Sequence, residues 1–142
     1  MILAISSLVA LATNLMGIQT PEIAHKMLVT ISQTKDVVTL ILLLTSAIIF
    51  APMLEEFIFR GFLHQAIRDV ISVDTPWLNI TLCSAIFAGI HISAAQWQTL
   101  PALFILGGIL GWMYEKTASL WPCIILHACF NSLNIAIVLF LM

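Results

Sequence analysis

The apolar residues of this chain run in unbroken blocks instead of alternating with polar ones. No charged side chain occurs in residues 1–21, 37–54, 75–114 or 117–142. At about 1.5 Å of rise per residue, a helix of about 20 such residues crosses a hydrocarbon layer of roughly 30 Å. The pattern predicts an all-α, polytopic transmembrane helical bundle of about five spans, at residues 1–18, 37 to about 68, 77–93, 100–114 and 119–142. An open sheet would leave backbone groups unpaired in hydrocarbon, and a barrel would need the alternation that is missing. Trp77 and Trp121 open the third and fifth spans, and Trp97 and Trp112 sit near the ends of the third and fourth, as interfacial aromatics do. Pro76, Pro101 and Pro122 follow Thr75, Thr99 and Ser119, in first-turn positions where a missing N–H costs nothing.

Composition sharpens this picture. The 142 residues are 61% hydrophobic and 8% charged, against roughly 45–50% and about 25% for soluble domains, so a water-soluble globule is excluded. A net charge of -2 without a basic run removes nucleic acid as a partner. Cys83, Cys123 and Cys129 lie in apolar runs at no metal-motif spacing and read as small packing residues. The first span lacks a basic leader and an A-x-A site before Gln19, so it reads as a retained helix. Lys26 and Lys35 balance Arg60, Arg68 and Lys116, which leaves orientation open. Gly107 and Gly111 form a GxxxG pair that allows close backbone approach, within the bundle or between two copies.

Against this apolar background, ionisable groups stand where they cost about 2.5–3.5 kcal/mol each at a span centre. Glu55, Glu56 and Arg60 lie in the second span, His91 in the third, and His127 with Asn131 in the fifth. Glu56 and Arg60 are four residues apart, share a helix face and can neutralise one another, while Glu55 is turned about 100° away. His127 and Asn131 are likewise one turn apart, and Asn134 extends their face. Singly, each set has an ordinary reading: a helix end meeting water, a core histidine, interhelical hydrogen-bond glue. Together they supply a general base, two imidazoles and an amide donor, which suffices for hydrolysis without a serine or cysteine nucleophile. His64 continues the Glu56–Arg60 face and reads as a support or interfacial group. His25 is given no role, and Glu115 with Lys116 reads as a solvated charge pair in the turn before the last span.

Glu-Glu-x-x-x-Arg at 55–60 followed by Gly61, Phe-x-x-x-His at 87–91, and His-x-x-x-Asn at 127–131 behind Trp121 resemble, in order and rough spacing, the three motifs of the CAAX-protease and bacteriocin-processing family. That family of intramembrane proteases includes the Ras-converting type of prenyl protease. The resemblance covers about residues 52–134. It implies an N-terminal helix and connection at 1–36 and a protease core at 37–142.

The resemblance also implies roles. Glu55 and His91 would activate a water, His127 and Asn131 would hold the oxyanion, and Glu56 with Arg60 would support the helix and the local field. A zinc version would use Glu55, His91 and His127 as the three protein ligands of a catalytic ion. No HExxH pair is present, and the sequence leaves both versions open. The implied partners are a peptide or protein substrate, lipidated in the CAAX case, and membrane lipid; oligomeric state stays open. Two competing readings are a catalytically idle immunity or partner-binding membrane protein and a proton-coupled transporter, although the internal repeats common in transporters are missing.

Overall fold

The computed structural model describes residues 30–31, 33–71, 75–93 and 97–141. The expected first span and His25 lie outside them. All regular elements among the described residues are helical. Four long helices follow one another: α1 Val37–Ile71, α2 Pro76–Ile90, α3 Leu100–Thr117 and α4 Leu120–Leu141. A 3₁₀ turn, Trp97–Thr99, leads into α3.

α1 and α2 begin where the sequence supplies a start signal. Asp36 caps α1: its carboxylate accepts hydrogen bonds from the Thr39 backbone N–H at 2.8 Å and the Thr39 hydroxyl at 2.5 Å. The same bonds hold the Asp36 carboxyl below its ordinary range, the hydroxyl contributing most. Thr75 caps α2 from an extended conformation, with Pro76 in the first turn. α3 ends at Ala118, whose left-handed backbone (φ 49°) lets its N–H reach the Tyr114 carbonyl at 2.8 Å.

α1 is not uniform. Two π-helical segments, Ser46–Phe50 and Phe57–Leu63, flank the short α-helical stretch Ala51–Glu56. Pro52 has no N–H to offer the preceding turn, and just before it the Ala51 N–H bonds the Ser46 carbonyl five residues back. The helix stays continuous through this region, so Glu55 is an interior residue of a 35-residue helix.

The membrane reading rests on α1 and on Leu120–Ile137 of α4, two helices long and apolar enough to cross a bilayer. Only 11% and 17% of their most apolar windows are buried inside the protein, whereas the core helix of a soluble protein would be mostly covered. Val37, Val38, Ile41, Leu42, Leu54, Ile58 and Phe62 all face outward from α1. The third expected span is shorter than the sequence suggests. α2 stops at Ile90 after 15 residues, about 22 Å, and His91 is its C-cap.

The core forms where α2 and α3 meet α1 and α4. Phe59, Phe87, Leu106, Leu110 and Cys123 make one buried cluster, and Ile31, Ala47 and Ile135 make another. The Gly107–Gly111 face lies against α2 of the same chain. A Cβ on Gly107 would stand 3.1 Å from the Ser84 Cα, and one on Gly111 would stand 3.3 Å from the Ile80 Cγ2. This seam is therefore used within the molecule. Cys83 and Cys123 are buried as packing residues, but Cys129 is exposed on α4.

Candidate active site

Residues 36–72 positions apart in the chain converge on the middle of α1. Glu56 is fully buried, and its Oε1 accepts from Arg60 Nη1 at 2.9 Å and from His127 Nδ1 at 2.8 Å. Arg60, also buried, donates through Nη2 to the Gly107 carbonyl at 3.0 Å. The sequence foresaw the Glu56–Arg60 pair but not its two long-range partners.

Glu55 points to the other side of His127. Its Oε2 lies 3.7 Å from His127 Nε2 and 3.9 Å from His91 Nε2, although the three residues come from three helices or helix ends. His91 is held through Nδ1, 2.7 Å from the Phe87 carbonyl. Phe87, fully buried, packs its ring against both imidazoles, with centroids 4.9 Å from His91 and 5.7 Å from His127.

These contacts fix the protons. A carbonyl can only accept, so His91 must carry a proton on Nδ1. An ionised Glu56 beside Arg60 imposes the same on His127. Each imidazole in its neutral form then turns an Nε2 lone pair toward Glu55. Three acceptors thus face one another, and the buried Glu55 Oε2 has no hydrogen-bond partner among the described residues. Such a cluster needs donors, either a bound proton or a water that gives its two O–H groups. A metal ion is the other group these atoms would suit chemically. Two ligands of a tetrahedral zinc with bonds of about 2.0–2.1 Å sit about 3.3–3.4 Å apart. The separations here are longer, and among the described residues no group of three or more His, Cys, Asp or Glu stands in metal-holding geometry.

Asn131 shares a face of α4 with His127, but its amide donates to the Ala47 carbonyl at 2.8 Å, tying α4 to the first π segment of α1. Asn134 bonds within its own helix, to the Phe130 carbonyl.

A second polar cluster lies farther along α1. His64 is buried, and its Nε2 meets Glu115 Oε1 at 2.7 Å; Arg68 also donates to Glu115, and Gln65 donates to the Tyr114 hydroxyl at 2.8 Å. The expectation of a solvated Glu115–Lys116 pair in a turn is corrected. Glu115 belongs to the last turn of α3, is 14% exposed and ties α3 to α1. Burial raises its carboxyl, but the bonds from His64 and Arg68 outweigh that and leave it below its ordinary range. A cavity lined by Arg68, Thr75, Asn79 and Glu115 adjoins this cluster and includes none of the residues around Glu55.

Fold and site together define a helical membrane protein whose interior holds a carboxylate between two imidazoles. Residues 37–133 match the family model of the Type II CAAX prenyl endopeptidase Rce1-like proteins, and the chain belongs to that family. No curated protein and no solved structure matches it. Membership supports a protease of CAAX type acting on a peptide or protein substrate.

Proposed function

We propose that this chain is a multi-pass intramembrane endopeptidase that hydrolyses a peptide bond near the end of a peptide or protein tail, with lipidated CAAX-type tails as the substrate class. The observation that carries the reading is the buried, unpartnered Glu55 Oε2 between two imidazole Nε2 atoms. A water placed there meets a carboxylate base and an imidazole acceptor at once. Glu55 takes one proton as the oxygen attacks the scissile carbonyl, and the carbon becomes tetrahedral. Collapse breaks the C–N bond, and the proton held by Glu55 leaves on the amine, so one water is consumed per bond cut.

His127 faces the same space. When the proton that this cluster of acceptors needs already sits on His127 Nε2 before water attacks, Glu56 behind the ring stabilises the imidazolium, and Nε2 donates to the oxyanion while Glu55 acts as the base. Asn131, one Nδ2 hydrogen of which goes to the Ala47 carbonyl, has a second N–H with which to serve as the other donor from the next turn. Such donors are worth roughly 3–4 kcal/mol each in hydrolases. A zinc version, which would employ Glu55, His91 and His127 as ligands, would require these atoms to draw closer than 3.7 and 3.9 Å.

The test is cleavage of C-terminal peptides, prenylated and unprenylated, by the protein in liposomes. Glu55→Gln, His91→Ala and His127→Ala should each lower the rate by about 10²–10⁴-fold. Undiminished cleavage by all three would sink the proposal. Loss of activity with a chelator, restored by zinc, would select the metal version, and retained activity would select the metal-free one. An uptake signal lost in the same three variants, with no cleaved product, would favour the transporter.

A further inference from the structure

Phe87 has an environment that core packing alone does not require. Its ring is fully buried and meets four partners: Phe59 edge-on at 5.2 Å, the imidazoles of His91 and His127, and the Arg60 guanidinium, whose central carbon lies 5.2 Å from the ring centroid. Its backbone carbonyl takes the Nδ1 proton of His91 at 2.7 Å. One residue therefore touches both imidazoles that face Glu55 and also the cation that neutralises Glu56.

Each contact constrains a different freedom. The carbonyl fixes which nitrogen of His91 is protonated, and the tilted ring (49°) limits rotation of that imidazole about its Cβ–Cγ bond. The T-shaped contact at 73° does the same for His127, whose Nδ1 is already bound by Glu56. The guanidinium carbon, 5.2 Å from the ring centroid, is within the range of cation–π attraction. Leucine or methionine could fill much of the same core volume. A flat, rigid ring is the shape that can hold two imidazoles at a set angle.

We infer that Phe87 is a positioning residue for the proposed hydrolysis, setting the pitch of His91 and His127 so that both Nε2 atoms face Glu55. This rests on the proposed function for its catalytic consequence, but not for its structural one. Leucine at position 87 would remain apolar and buried, and its main-chain carbonyl would still hold His91 Nδ1, but the flat ring that limits the pitch of both imidazoles would be gone.

Two measurements test it on the full chain in lipid. The first is kcat and KM for peptide cleavage by Phe87→Leu and by Leu110→Ala, a fully buried member of the same core cluster. Phe87→Leu should lower kcat about ten- to a hundredfold with KM little changed, since small misplacements of reacting groups cost that much. Leu110→Ala should lose thermal stability and keep its kcat. The second is nitrogen NMR of labelled histidines, which reads tautomer and mobility whether or not the protein cleaves anything. Phe87→Leu should shift or broaden the His91 and His127 signals and leave His64 in place. Unchanged signals for both imidazoles would overturn the inference, as would equal kcat losses in the two variants. Failure of Glu55→Gln to reduce cleavage would strike the proposed function instead and leave the NMR result to judge Phe87.

Discussion

His127 and Glu56, 71 residues apart in the chain, are joined by a 2.8 Å contact between Nδ1 and Oε1 inside the bundle. Because the same oxygen also accepts from Arg60, it takes the Nδ1 proton of His127 and locks the imidazole with its other nitrogen toward Glu55. One carboxylate of the adjacent pair thereby orients a histidine, and the other faces it.

Glu56→Gln should keep the shape of the side chain but leave Arg60 buried without its counter-ion. Breaking such a pair costs about 3–5 kcal/mol, to be read as a lower unfolding midpoint in detergent. Adding Arg60→Met to Glu56→Gln should restore part of the midpoint, because an apolar replacement of both charges avoids the unpaired cation. Cleavage should not return with it, since His127 would still lack its anionic partner.

Asn131→Ala separates two contributions of that side chain. Loss of the bond to the Ala47 carbonyl should cost about 0.6 and at most about 1.7 kcal/mol of stability. An oxyanion role would add a fall of about 10²–10³ in kcat. A stability loss with kcat intact would reduce Asn131 to a tie between α4 and α1. Asn134→Ala, whose bond is local to α4, should change neither.

Gly107→Ala should destabilise the fold by about 1–3 kcal/mol, as overpacking does, because the new Cβ would meet the Ser84 Cα and Cβ at 3.1 and 3.2 Å. Any widening of the α2–α3 seam also pulls the Gly107 carbonyl from Arg60. Gly89→Ala is the contrast: nothing lies within 4 Å of its Cβ position, and helix propensity alone favours alanine by about 1 kcal/mol. Thermal unfolding of both variants checks the pair.

The Glu115 cluster should give an acid-sensitive contribution to stability. The bonds from His64 and Arg68 hold the folded-state value of Glu115 below its ordinary 4.5. Folding then favours the ionised form. Its stabilising effect is present above the unfolded value and disappears as pH falls through the folded one. Wild type should therefore exceed Glu115→Gln in unfolding temperature at neutral pH, and the difference should shrink below about pH 4.5. A pH-independent difference would contradict this assignment.

Much of this architecture can be read from residue order. Solid apolar blocks can satisfy their backbone in lipid only as helices, and the starts of α2 and α3 follow from Thr75–Pro76 and Thr99–Leu100–Pro101. The period of 3.6 residues puts Glu56 with Arg60, and His127 with Asn131, on common faces. The three motifs also sufficed to place the chain in its family. How one face meets another was not legible, because periodicity fixes directions within a helix but not the rotation and offset between helices. Those depend on how closely Gly107 lets α3 approach Ser84, and on the two π segments that set the aim of Glu55 and Glu56 along α1. For that reason the pairing of Glu56 with His127, the end of α2 at Ile90 with His91 as its cap, and the burial of Glu115 against α1 emerged from packing.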